Sequence, residues 1–336
     1  MSGKIKIVRP ILIILSMVYF VIVKIRNQMY DLGIIRINKN SKPVISIGNL
    51  TTGGTGKTPM VIEIAKIVIE LNKKPIIISR GFKRKSKGTV IVSNNFNVLH
   101  TAEYVGDEPY LIAKKLKGVP VVVDNNRYKA TELAKRNFNF DLIILDDSFQ
   151  HRKIYRDLDI VMINYLEKDT NYHLLPLGKL RENIKSLNRV DLIIWSKYNN
   201  KKLQSNYNKK IRSIQKEEIY SYYSIKNKKI KRGSIIIAFC AIGDPNSFTT
   251  ILEENEFQLI YSKFYRDHHK LNLKELNQLI RLKNKYNADY LVTTEKDWVK
   301  LPEKFKKDES FSFVEINVNF KKQGKEILTR KIKSLI

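Results

Sequence analysis

Apolar and polar positions along this chain follow the pattern of a parallel, doubly wound α/β sheet. Short apolar runs stand at 44–47, 76–79, 89–92, 119–123, 142–145, 160–163 and 192–195. Each has the length of a buried strand. Helix-patterned stretches at 60–71, 109–116 and 128–137 lie between several of them. Strand and helix in alternation predict a mostly parallel sheet covered by helices. A shorter set follows, with strands at 234–239 and 290–293 and helices near 247–254 and 274–286. Between the two sets, residues 199–232 are dominated by Lys, Asn, Ser and Tyr. That shift reads as a boundary, with 219–225 an extended linker.

The first residues differ in kind. Residues 11–23 are apolar except for Ser16, with Lys4, Lys6 and Arg9 before them and Lys24 and Arg26 after. As a helix this run is about 20 Å long, against about 30 Å of bilayer hydrocarbon. Extended to Ile7 and Val8 it just spans. No small-residue cleavage site follows, so a removable leader is not expected. Cations on both flanks suit a membrane surface with anionic lipid. The expectation is a membrane anchor; the competing reading is a buried first helix of the body.

The segment after the first predicted strand carries chemistry. Residues 46–59 read Ser-Ile-Gly-Asn-Leu-Thr-Thr-Gly-Gly-Thr-Gly-Lys-Thr-Pro, ahead of a helical pattern. Strand, Gly-rich turn and helix form the context of a phosphate-binding P-loop. Residues 51–58 (Thr51, Thr52, Gly53, Gly54, Thr55, Gly56, Lys57 and Thr58) would cradle the phosphates of ATP. Their backbone N–H groups and the helix N-terminus favour anions. Lys57 can reach the β- and γ-phosphates, and the Thr58 hydroxyl can ligate Mg²⁺. Thr51 stands where the usual pattern has Gly. The run Asp141-Leu-Ile-Ile-Leu-Asp146-Asp147 puts acids at a strand end. Such an Asp is the Mg²⁺-holding partner of a phosphate loop, and parallel strands open onto one crevice. Together the two motifs indicate a nucleoside-triphosphate enzyme.

Composition narrows the setting. Cys240 is the single cysteine, so no internal disulfide forms, and five scattered histidines make no metal cluster. Both fit a reducing compartment. The net charge of +29 suits an anionic partner, although a chain rich in Lys, Asn and Ile is also what AT-rich coding yields. No aromatic-interleaved nucleic-acid signature is present, and nucleic acid is not an expected partner. No segment indicates an oligomeric state.

Several motifs in this order resemble the tetraacyldisaccharide 4'-kinase family, the lipid A kinases of Gram-negative bacteria. They are the loop from Gly48 to Pro59, Ser79-Arg-Gly81, Gly106-Asp-Glu-Pro109 and Asp146-Asp-Ser-Phe-Gln-His151. The likeness continues through the run from Leu174 to Glu182, Ile242-Gly-Asp-Pro245, Asp267-His-His269 and Thr293-Thr-Glu-Lys-Asp297. Ser148, Lys179, Ser247 and Trp298 depart from the expected pattern, and Ser148 bears on the backbone of its turn.

The resemblance implies a P-loop-containing parallel-sheet domain plus a smaller α/β domain, with an N-terminal membrane-associated helix. The expected division is an anchor over 1–30, the kinase domain over 31–215, a linker over 216–232 and the smaller domain over 233–336. The implied reaction is transfer of phosphate from ATP to the 4'-hydroxyl of an acylated disaccharide 1-phosphate lipid. The implied place is the cytoplasmic face of the inner membrane. By the same resemblance Asp107 is the base, His268 its partner, and Arg181 and Glu182 lie near the phosphates and the metal, with Glu182 joining Thr58 and Asp146 as ligands. Asp107 also reads as a helix cap. His151 reads as a support for its turn, Asp267 to His269 alone as a solvated loop, and 293–297 as a capped helix start without an assigned role. Two rivals remain at this level. One is a P-loop ATPase of the deviant positioning type, which needs a Lys where Thr52 stands. The other is a basic nucleic-acid-binding module, which would leave anchor, loop and Asp107 idle.

Overall fold

The computed structural model describes residues 2–199, 205–226 and 230–336, with side chains from Arg9 onward. Residues 227–229 of the expected linker lie outside the described residues. Two sheets organise the chain. The larger contains β1 (Val44–Asn49), β2 (Pro75–Ser79), β3 (Val90–Ser93), β4 (Val121–Val123), β5 (Leu142–Asp146), β6 (Leu158–Asn164), β7 (Leu192–Ser196) and β8 (Glu218–Ile225). The smaller contains β9 (Ile235–Cys240), β10 (Gln258–Phe264), β11 (Tyr290–Thr294) and β12 (Phe311–Val314). A last strand, β13 (Ile316–Phe320), returns to the larger sheet.

The larger sheet runs β13-β8-β7-β6-β1-β5-β2-β4-β3 and the smaller β10-β9-β11-β12. All pairs are parallel except β3 with β4 and β13 with β8. The α/β expectation is met. β1, β5 and β6 are buried at every position, as strands covered on both faces must be. The register sets Ile47 beside Asp146, so the ends of β1 and β5 open onto one crevice.

Two expectations about division need correcting. Residues 218–225 are not a linker: they form β8, paired with β7 on one side and β13 on the other. The last residues, expected in the smaller domain, also belong to the larger sheet. β13 pairs there, and Leu328 and Ile332 of the helix Gly324–Lys333 enter its core. The chain therefore crosses between the sheets twice, and the crossings bring both sheets to one cleft.

The N-terminal helix runs Ser2–Asp31. Over Arg9–Asp31 only 11 % of its most apolar window is buried. That removes the reading as a buried first helix. Ser16, Val23 and Tyr30, seven residues apart, face the body and are buried, while Ile14, Met17, Val21 and Ile22 are exposed. A single stripe docks, and most of the apolar surface of the helix is left uncovered.

Candidate active site

The phosphate loop is held from three directions. Asn49 Nδ2 donates to Thr55 Oγ1 at 3.0 Å across the loop. Thr52 N–H donates to Lys179 O at 2.7 Å, and Thr51 forms an antiparallel bridge with Leu180. Thr51 thus occupies extended backbone that any residue adopts, so the usual Gly is not needed there. Gly56 precedes the helix Lys57–Glu70 at φ 83°. A Cβ at this position would lie 1.6 Å from the Tyr223 hydroxyl, so conformation and space both demand glycine.

Two neighbouring acids face the loop in opposite electrostatic states. Asp146 is fully buried, with Oδ2 accepting from Ser79 Oγ at 2.8 Å and Oδ1 unpartnered. Burial, reinforced by Glu108 and Asp147, pushes its pKa up to about 7. Asp147 meets Lys57 Nζ at 3.4 Å and Arg181 Nη1 at 2.9 Å through the same oxygen, Oδ1. Burial would raise its pKa, but Lys57, Arg181 and Arg127 outweigh it and hold it well below the carboxylate range. The turn after them is unstrained at the serine. The left-handed residue is Asp147, at φ 48°, and Ser148 donates its N–H to Ile47 O at 3.2 Å. Phe149 presses close to β1, where a Cβ on Gly48 would come within 2.4 Å of it.

The second cluster is assembled across the cleft. Asp107 opens the helix Asp107–Lys115, whose N-cap is Gly106. Asp107 is the first residue inside the helix rather than its cap, so the cap reading of Asp107 does not hold. Its Oδ2 lies 3.1 Å from His268 Nδ1 and 3.7 Å from Lys300 Nζ. Burial would raise its pKa, yet the His268 bond, Lys300 and Lys296 lower it overall. His268 sits at φ 65°, with its N–H donating to Ala241 O at 3.1 Å and Phe82 edge-on at 5.1 Å. The loop is therefore structured rather than merely solvated.

Lys296 completes this cluster. Its Nζ lies 3.2 Å from His268 Nε2, 3.2 Å from Glu108 Oε1 and 3.6 Å from Asp267 Oδ1. Burial would lower its pKa, but the surrounding carboxylates raise it overall, so it is an ammonium. An ammonium only donates, which makes Nε2 an acceptor and leaves Nδ1–H to donate to Asp107. The residues 293–297 do begin a capped helix, since Thr294 accepts from Asp297 N–H. The same turn delivers Lys296 to the site. Sequence reading missed it, although a Lys one residue past a helix start that follows a strand end was the available signal.

Lys57, Asp147, Arg181, His268, Lys296 and Glu108 line one cleft of about 510 Å³ between the two sheets. The cleft also takes in Thr52 to Thr58 of the loop. Asp107 stands just behind the lining, reached through His268. Lys197 pairs with Asp244, which caps the helix Pro245–Glu253 and lies where a Cβ on Gly54 of the loop would meet it at 3.5 Å. Lys115 pairs with Glu295 and Glu315, so ion pairs span the cleft. Among the described residues no group of three or more His, Cys, Asp or Glu forms a metal cluster.

Most sequence-expected residues converge here; Glu182 does not. It is fully buried and accepts from Arg26 Nη2 at 3.1 Å, Asn27 Nδ2 at 2.8 Å and Arg189 Nη2 at 3.0 Å. Three donors, two of them cationic, occupy both oxygens, so the metal role expected for Glu182 is corrected to a structural one. His151 supports its turn with an N–H to Ser148 O at 2.9 Å. Burial and the cations Arg127, Lys153, Arg156 and Arg80 push its pKa down to about 4.

Comparison with known proteins agrees with this geometry. The profile of the family described as Tetraacyldisaccharide-1-P 4'-kinase matches residues 8–335. A tetraacyldisaccharide 4'-kinase of Halothermothrix orenii is 36% identical over 96% of this chain and 89% of its own length. The enzyme of the same name from Chlorobium phaeobacteroides is 35% identical over 85% of each chain. A crystal structure described as the "apo" form of LpxK from Aquifex aeolicus in complex with ATP superposes with a TM-score of 0.76 at 31% identity. That match covers 98% of this chain and 99% of the other.

Proposed function

The chain belongs to the tetraacyldisaccharide 4'-kinase family, and we propose that it transfers the γ-phosphoryl of ATP to the 4'-hydroxyl of a tetraacyldisaccharide 1-phosphate. The product is the 1,4'-bisphosphorylated lipid of lipid A biosynthesis. The observation that carries this reading is one cleft lined by both a phosphate loop and His268, with the Asp107 carboxylate bonded to that histidine just behind the lining. The positioning-type ATPase rival accounts for the first and leaves the second unused.

Phosphoryl transfer depends on positioning and on charge. Lys57 and Arg181 would turn from Asp147 to the phosphates. Asp107 would accept the 4'-hydroxyl proton, and His268 would orient it through the Nδ1–H bond. Thr58 and Asp146 are the residues that would hold Mg²⁺, and the buried, unpartnered Oδ1 of Asp146 fits a cation. Held there, Mg²⁺ would supply positive charge that offsets the charge of the phosphates. The exposed apolar helix supports association with the membrane that carries the lipid acceptor. The basic charge supports a surface with anionic lipid, at the cytoplasmic face where ATP is available. The test is incubation of purified protein with γ-labelled ATP and the tetraacyl disaccharide 1-phosphate. Label in the lipid is expected; phosphate release without labelled lipid points to the ATPase.

A further inference from the structure

Residues 174–182 lie between the N-terminal helix and the phosphate loop and are bonded to both. On the loop side the bonds are backbone to backbone. Arg181 N–H donates to Leu50 O at 2.8 Å, beside the Thr52 to Lys179 bond and the Thr51–Leu180 bridge. On the helix side the donors are side chains. Ser16 Oγ donates to Leu174 O at 3.0 Å and Tyr19 Oη to Arg181 O at 3.0 Å. Arg26 and Asn27 then close on Glu182, at 0 % exposure. Its neighbour Arg181 points the other way and holds Asp147, the acid that also pairs with Lys57.

Membrane attachment alone requires none of this. The apolar face of the helix suffices to enter lipid, and a buried carboxylate is unfavourable unless its partners are present. Four helix side chains instead converge on a segment that is bridged to the loop.

We propose that Glu182 is a positioning residue, through which seating of the membrane helix sets the phosphate loop and Arg181. The backbone of 179–182 is the connecting element: Glu182 fixes one end against the helix, and hydrogen bonds at Leu50 and Thr52 carry its position into the nucleotide site. The helix is thus part of the ATP site as well as an anchor. This rests on the kinase reading of the cleft.

The test separates attachment from positioning in the full-length protein on phosphatidylglycerol-containing vesicles. Arg26→Gln and Asn27→Ala leave the apolar face untouched, and Arg26 is engaged by Glu182 rather than by lipid, so vesicle retention should stay close to the wild-type level. Affinity for a fluorescent ATP analogue should fall about five- to tenfold, the scale of a modest coupling between sites. KM for ATP should rise in parallel with a smaller change in kcat, and Arg26→Lys should restore most of the loss. Glu182→Gln should behave alike; if it does not fold, Arg26→Gln still decides, because Arg26 is a third exposed. ATP affinity within twofold of wild type in both helix variants would overturn the proposal. Failure of the kinase reading looks different: the wild type would bind the analogue and label no lipid.

Discussion

The nucleotide side and the acceptor side of the cleft are built on different plans. On the nucleotide side the chemistry follows the chain. One strand end supplies the loop and Lys57, and its paired neighbour supplies Asp146 and Asp147. On the acceptor side nothing is local. Asp107 and His268 are 161 positions apart and meet from a helix start on one side of the cleft and a loop on the other. The first plan makes a rigid phosphate cradle from backbone geometry. The second makes a charge cluster whose assembly depends on how the sheets close. Removing a residue from the first should abolish the reaction outright. Removing one from the second should weaken a step.

The sharpest break is Lys57→Ala. Its Nζ is the loop's cation, and phosphoryl transfer loses several kcal/mol without it, a fall of about a thousandfold or more in rate. The fold should survive, because Asp147 keeps Arg181 as partner. Circular dichroism and single-turnover transfer check both halves. Near-normal turnover in a folded variant would remove the phosphate-loop assignment.

On the acceptor side Asp107→Asn keeps shape but is a far weaker base. It should lower kcat by about a hundredfold while ATP affinity stays nearly unchanged. His268→Ala should act on the same step, so the double variant should lose much less than the product of the single losses. Multiplicative losses would mean that the two residues act independently.

Lys296→Met probes the same cluster more gently. The variant loses the donor to His268 Nε2 and frees the ring to carry its proton there instead. A loss of about 1.4 kcal/mol, roughly tenfold in kcat, is expected, with KM for ATP little changed. Nitrogen NMR of His268 reads the tautomer directly, and Lys296→Arg should restore the Nδ1–H form. An unchanged tautomer in Lys296→Met would remove the role.

What the sequence made legible follows the same division. The loop, Asp146 and Asp147 could be read because strand, turn and helix carry their signal within a few residues. Even the odd Thr51 proves harmless once its β-bridge to Leu180 is known. The pairing of Asp107 with His268 came through family resemblance, since no local pattern links residues so far apart. Glu182 was misread because adjacent side chains point to opposite sides, so Arg181 reaches the cleft and Glu182 the N-terminal helix. β8 was read as linker because its exposed and half-buried Tyr and Ser positions lack an apolar run. β13 was missed for a similar reason, with Asn at two of its five positions.

The smallest effect expected is that of pH on Asp107. Burial raises its pKa, but the His268 bond, Lys300 and Lys296 lower it further, so the net shift is downward from the ordinary value near 3.9. A depressed carboxylate stabilises the fold above its unfolded pKa, and that contribution is lost as pH falls through the folded value. Between pH 6 and 8 the group is therefore ionised throughout, and its share of kcat/KM should change by less than about twofold. Glu108 and Asp267 face the same cluster, each paired with Lys296. Carbon NMR of the Asp107 carboxyl checks the point, with a midpoint expected below that of an ordinary aspartate. A midpoint near 6 would mean that the cations do not hold Asp107 as an anion, and the acceptor side would then resemble the buried Asp146 rather than the paired Asp147.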